Sequence, residues 1–330
     1  MNRPETTSAP PAVLAGVDIG GTTTQVVLCT VDLRIVARLR LPTPAAEGGH
    51  AMIRTVLDAL RRLLDGSPAR LLAVGVGAAG VVDSRSGHVI AASDSFHAWA
   101  GFPVTATIED ALGAPAFLEN DVNSFLRAEA SVGAAEGEPN VLGMTLGTGV
   151  GGALWLDGAL RSGPHGAAGE VGHIPGFGDI TCSCGGRGHL ETLASGRAIA
   201  ARYADRAGRH TTAYGVAVAA ADGDPHAVAV FRAAGAAIAR ALLITAGLLD
   251  VTCVVIGGGL THAWHLLEPP ILAALTAEPP VSGQHIRLAR TQLGDDAAAL
   301  GAAAFARTRL DATGRAPAPA ACGTRPPSLP

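Results

Sequence analysis

The 330-residue chain contains no lysine, so all 24 of its basic residues are arginine. That absence excludes a phosphate site built on a Walker-type lysine, and with it Schiff-base or lysine-base chemistry. Acidic residues number 28, leaving a formal charge of −4, too balanced for a nucleic-acid or membrane-surface footprint. No uninterrupted apolar run reaches the roughly 18 to 20 residues of a membrane span. The opening MNRPETTSAPP is polar, carries Glu5 and lacks the apolar stretch of a secretory signal, so a cytoplasmic location is expected. Cysteines are few. Cys29, Cys253 and Cys322 are dispersed, and only Cys182 and Cys184 sit together, which fits buried thiols plus a metal pair better than a disulfide framework. What the chain has in quantity is small and apolar: 48% apolar residues and 43 glycines. That composition describes a globular chain rich in turns and close backbone approaches, long enough for about two domains.

Both ends read as tails: residues 1 to about 11, and the Pro-, Ala- and Gly-rich DATGRAPAPAACGTRPPSLP over 311–330, have little to bury. Between them, VLAGVDIG and TTTQVVLCTVD flank a Gly20-Gly21 turn as a β-hairpin. MIRTVLDALRRLLDG has helical spacing closed by Gly66, and LLAVGVGAAGVVD returns to strand character, giving a β-β-α-β order typical of an α/β domain. VLGMTLGTG and VGGALWLDG then repeat strand, glycine turn and return strand, which predicts two related halves. A third stretch, VTCVVIGGGLTHAWHLLEPPILAAL, reads as strand, glycines and helix, the usual place for a nucleotide at the carboxyl end of a strand. The segment AAGAAIARALLITAGLL before it is predicted helical.

Backbone N–H groups hold phosphate where side chains are small enough to let it approach. Gly20, Gly21, Thr22 and Thr23 offer such a turn, as do Gly147, Thr148 and Gly149, while Gly257, Gly258 and Gly259 form the third. Asp18, just before the first turn, is positioned to hold Mg2+ or its water shell. A single such turn could equally be an ordinary hairpin; three after strands in one chain favour a phosphate-binding role. Cys182, Cys184, His189 and His173 form a second constellation, four ligands suited to a tetrahedral, structural Zn2+.

The order and content of the three glycine segments resemble the phosphate-1, phosphate-2 and adenosine elements of the sugar kinase, Hsp70 and actin superfamily. Within it the chain resembles the ROK family (repressors, open reading frames and kinases) over about residues 13 to 308. Its most specific stretch is GEVGHIPGFGDITCSCGGRGHLETLASG. The resemblance implies an α/β fold of two ribonuclease-H-like (actin-like ATPase) domains with a cleft between them. A smaller domain over 12–119 would be completed by a helix at about 297–310, and a larger one over 120–296 would carry the zinc knuckle. It further implies transfer of the γ-phosphoryl of ATP to the 6-hydroxyl of a glucopyranose-type sugar, with Asp121 of LENDVN as general base. Asn120, Glu170, His173 and Glu191 would be the sugar ligands. An Asn-Asp pair before a helical pattern also suits a helix cap, and both roles are compatible. ATP, Mg2+ and structural Zn2+ are the implied cofactors, with polyphosphate open as a donor, and a homodimer or homotetramer is the implied assembly.

The sequence departs from the family pattern at four points, the first being GAAG at Gly77–Gly80, where a proline commonly precedes the last glycine. His189 stands where a third cysteine is usual, Ser95 where an asparagine usually precedes the tryptophan, and Thr23 where lysine is frequent. Ser95 borders the implied sugar site, so an amino- or N-acyl-hexose (kanosamine, glucosamine or an N-acylhexosamine) is the alternative substrate. A sugar-responsive regulator is the remote alternative, disfavoured because only about a dozen residues precede the first hairpin and no basic recognition helix is among them.

Overall fold

A computed structural model describes residues 10–66, 69–93 and 95–314. Most of the expected N-terminal tail, the C-terminal tail beyond residue 314 and Cys322 lie outside the described residues. Twelve strands among the described residues fall in chain order. They are β1 (Ala12–Ile19), β2 (Thr23–Cys29), β3 (Ile35–Pro42), β4 (Arg70–Ala78), β5 (Val81–Asp83), β6 (His88–Ala91), β7 (Ala116–Asn120), β8 (Val141–Leu146), β9 (Val150–Leu156), β10 (Ala159–Leu160), β11 (Cys253–Gly257) and β12 (Arg287–Arg290). The helices are α1 (Gly49–Asp65), α2 (Val104–Leu112), α3 (Asp121–Val132), α4 (Glu191–Ala194), α5 (Gly196–Ala207), α6 (Ala213–Ala221), α7 (Pro225–Leu249), α8 (Trp264–Ala277) and α9 (Ala297–Thr313).

Two five-stranded sheets result, ordered β3-β2-β1-β4-β7 and β10-β9-β8-β11-β12. Each begins as an antiparallel meander and continues as parallel strands. The two glycine hairpins therefore occupy equivalent positions in the two sheets. The first unit runs β-β-β-α-β, one strand more than the expected order. The added β3 has no apolar run to mark it, because its side chains alternate half-buried and exposed around Arg38 and Arg40. The last helix continues to Thr313, three residues into the expected tail.

Helices α3 and α9 lie between the sheets, and missing side chains let them in. A Cβ on Gly16 of β1 would fall 1.9 Å from the Ala299 carbonyl oxygen, and one on Gly75 of β4 would fall 1.8 Å from that of Ala302. Gly301 of α9 faces the Ser124 carbonyl of α3 equally closely, at 1.7 Å. On the other side Gly143, Gly151 and Gly257 of the second sheet receive Leu126, Val122 and Phe125 of α3. A bidentate pair from Arg127 to Glu119, at 3.0 and 2.7 Å, pins α3 to β7, and the Phe305 ring of α9 stacks under the guanidinium. The outer faces are covered separately. Helices α1 and α2 supply Met52, Ile53, Leu60 and Ile108 to the first core, and α4 to α8 cover the second sheet. One helix among the described residues, α7, is long and apolar enough to cross a membrane. It packs Val230, Phe231, Ile238 and Leu242 into the second core.

Candidate active site

The parallel strands β1, β4 and β7 of one sheet and β8 and β11 of the other direct their carboxyl ends toward a common crevice, the ligand position expected of α/β sheets. Asp18 falls on the face of β1 that also carries Leu14 and Gly16, and its partner in the ladder is Gly77 of β4. Gly77 would put a Cβ 3.5 Å from the Asp121 Cα, so a residue without a side chain separates the two aspartates. The sequence-predicted Asp18 and Asp121 accordingly line one cavity of about 210 Å3, together with Thr23, Thr145, Phe125 and Gly258.

Asp121 opens α3. Asn120 caps that helix, its Oδ1 accepting from the Val122 and Asn123 N–H groups at 2.9 and 3.1 Å, while its Nδ2 donates to the Gly80 carbonyl. Asn120 thus fixes the direction of the Asp121 side chain, whose Oδ1 accepts from Val122 N at 3.0 Å. Burial pushes the Asp121 carboxyl up to about 6, offset in part by those backbone donors and reinforced by Glu170. Asp18 is pushed further, to about 8, by burial and then by the negative charges of Asp121 and Asp295. Two neighbouring carboxyls that resist ionising together make a pocket that favours positive charge.

The turns of the three glycine segments close locally. Gly20 N donates to Thr23 O at 3.1 Å and Gly147 N to Gly149 O at 2.9 Å. Gly258 has φ +85° and passes so near β8 that a Cβ would meet Leu146 O at 2.5 Å, while Gly259 faces open space. Glu191, at the start of α4, supports the second turn: one oxygen accepts from Val150 N at 3.0 Å, the other from Ser183 Oγ and Arg197 Nη2. Thr22 and Thr148 are exposed at the tips. Glu170 lies near Asp121, with its carboxyl raised by burial and pulled back by His173, and its Oε2 is 4.0 Å from His173 Nε2.

The other ring nitrogen of His173 points the opposite way. Nδ1 is 3.4 Å from His189 Nδ1 and 3.8 Å from Cys182 Sγ, and His189 Nδ1 is 3.3 Å from Cys184 Sγ. All four ligand atoms fall within 4.8 Å of one another, a spacing that tetrahedral Zn2+ with bonds of about 2.0 to 2.3 Å would span. Gly188, with φ +64°, approaches the Gly178 carbonyl too closely for a Cβ and folds the loop back on itself.

A larger cavity of about 670 Å3 continues past the first, lined by Arg38, Arg290, Thr261 and His262. Gln25, Arg40 and Asp295 line both cavities, and none of them was singled out in the sequence. The available signal was slight: arginines two apart on β3, and an acidic pair, Asp295-Asp296, just before an Ala-rich helix.

Known sugar kinases are similar to this chain in sequence and fold. The glucokinase of Halalkalibacterium halodurans is 33% identical over 316 residues, covering 87% of this chain and 92% of the relative. An N-acetylmannosamine kinase of Escherichia coli O127:H6 is also 33% identical, over 300 residues covering 88% of this chain and 97% of its own. The crystal structure of a ROK family glucokinase from Streptomyces griseus, in complex with glucose and AMPPNP, superposes with a TM-score of 0.80 at 30% identity, covering 90% of this chain and all of the other. The ROK family model matches residues 14–309. The chain belongs to the ROK family.

Proposed function

We propose that the protein is an ATP-dependent hexose kinase of the glucokinase type, transferring the γ-phosphoryl of ATP to the 6-hydroxyl of a glucopyranose sugar bound in the crevice. The observation that carries this reading is Asp121: a carboxylate held by its helix cap, raised to about 6, in the same cavity as Asp18 and the Gly258 turn. Phosphoryl transfer asks mainly for positioning and charge neutralisation. The sugar oxygen bonds to the γ-phosphorus as the bond to the β,γ-bridging oxygen breaks, the electron pair leaves with ADP, and the hydroxyl proton passes to Asp121. Glu170, His173 Nε2, Asn120 and Glu191 orient the sugar hydroxyls. The turns at Gly20–Gly21 and Gly147–Gly149 receive the phosphates, Gly257–Gly259 border the adenosine, and the carboxylate of Asp18 offers Mg2+ the hard oxygen it prefers. Mg2+ supplies charge neutralisation on the phosphates. His173 Nδ1, Cys182, Cys184 and His189 would hold Zn2+, and a metal there would keep the His173 ring oriented with Nε2 toward Glu170.

The equal identity to an N-acetylmannosamine kinase supports a second reading, an N-acylhexosamine as substrate. Ser95, whose hydroxyl is 2.7 Å from that of Ser93 in an exposed loop, leaves more room there than an amide side chain. The test is an ADP-release screen over glucose, mannose, glucosamine, kanosamine, N-acetylglucosamine and N-acetylmannosamine, with ATP and polyphosphate as donors and the product located by phosphorus NMR. Glucose 6-phosphate as the preferred product supports the first reading. Preference for an N-acylhexosamine replaces it with the second, and no sugar-dependent ADP release overturns both.

A further inference from the structure

Arg40 and Asp295 face each other at the junction of the two cavities, Nη1 to Oδ2 2.6 Å, with side chains 61% and 50% exposed. An ion pair so open to water is weakly held. Behind it Gln25 is 7% exposed. Its Nε2 donates to Asp296 Oδ1 at 2.6 Å, and Asp296 also takes Arg38, so the amide is fixed with its Oε1 buried and without a hydrogen-bond partner. An amide oxygen left without a donor costs free energy, and it is the kind of hard oxygen that a divalent cation binds. Asp18 and Asp295 line the small cavity with it. The chain has no lysine, and among the described residues Arg40 is the arginine that lines both cavities.

We propose that the Arg40–Asp295 pair is one half of an exchange: on arrival of a nucleotide with its divalent cation, Asp295 turns to the cation beside Asp18 and Gln25 Oε1, and Arg40 turns to the phosphate oxygens. The inference rests on the kinase reading and deepens it by naming residues outside the glycine turns. Opposite charges held together at the crevice become separately useful when a ligand brings both signs. The exchange also predicts that the two side chains respond differently to the metal.

The test uses the full chain without sugar, following Mn2+ by electron paramagnetic resonance and AMPPNP by calorimetry. Asp295→Asn is expected to weaken Mn2+ binding in the presence of AMPPNP by about tenfold, the size of one lost charged contact. Metal-free AMPPNP binding should be unchanged or tighter in this variant, because Arg40 is released. Arg40→Met is expected to weaken metal-free AMPPNP binding by about tenfold, with Mn2+ binding to the nucleotide-free protein unchanged or tighter, because Asp295 is released. Wild-type Mn2+ affinity in Asp295→Asn, or the same loss in both variants, overturns the exchange and leaves a rim ion pair. A wild-type chain that binds AMPPNP and phosphorylates sugar while both variants match it defeats this inference alone. A wild-type chain that binds no AMPPNP defeats the kinase reading as well.

Discussion

Asp121 has its carboxyl raised to about 6, against about 4 in an unfolded chain. Between those values the folded protein keeps a proton that the unfolded one has lost, so stability falls as pH rises through that window. Above it the ionised carboxylate remains a cost, and that same ionised form is the one proposed as proton acceptor. Asp121→Asn keeps an oxygen for Val122 N and removes the charge. Its Tm should exceed that of the wild type at pH 7.5, with the gap closing below pH 4, as read by thermal melts across pH. Its turnover should fall by roughly 10^2 to 10^4, the usual contribution of a general base, and wild-type kcat should rise with pH through about 6. Near-normal kcat in the Asp121→Asn variant removes Asp121 from the role. At this scale the sequence was partly readable. The cap and the acid after it are neighbours in the chain, so Asn120 and Asp121 stood out. Gln25 and Asp296 lie 271 residues apart, and Arg40 and Asp295 lie 255 apart, so no local pattern marks them.

Among the elements, glycine hairpins and the helix α1, with its apolar stripe and closing Gly66, could be read because their signals are local. Strand β3 could not, since an edge strand that alternates apolar residues with arginines turned toward the crevice has no continuous apolar run. Helix α9 was expected at nearly its observed bounds, but its seat on bare β1 and β4 backbone was hidden, because a glycine in a strand does not announce what lies on it. Gly75→Ala tests that seat: its Cβ would sit 1.8 Å from Ala302 O, so α9 must lift. A loss of about 2 kcal/mol or more is expected from the shift of the urea midpoint. The 173–191 loop has its own test. Atomic absorption should find about one Zn2+ per chain, as four convergent ligands require, and Cys182→Ser should lose it. Because His173 Nδ1 would then be released while Nε2 faces Glu170, KM for the sugar should rise more than KM for ATP. A metal-free wild type with the same kinetics would reduce the knuckle to a pair of thiols.

Across the whole molecule the two sheets share a topology but differ in what packs against them. The largest core, over α4 to α8 and the second sheet, draws every buried member from between Leu142 and Ile286, so that half contains its own partners. The first sheet does so only on its outer face, whose core runs from Ala15 to Leu118. Its inner face packs Leu14, Cys29, Ala73 and Phe117 against Leu300, Ala303, Ala304 and Phe305 of α9, contacts that close only when the last segment of the chain returns. Such closure over nearly the full length is entropically late. A chain ending at residue 296 should therefore keep a protease-resistant second half while residues 10–120 are cut early in limited proteolysis followed by mass spectrometry. Adding a peptide of residues 297–314 should restore part of the protection, because it supplies the missing face without a covalent link. Equal resistance of both halves in the truncated chain would mean that α1 and α2 suffice to hold the first sheet without α9.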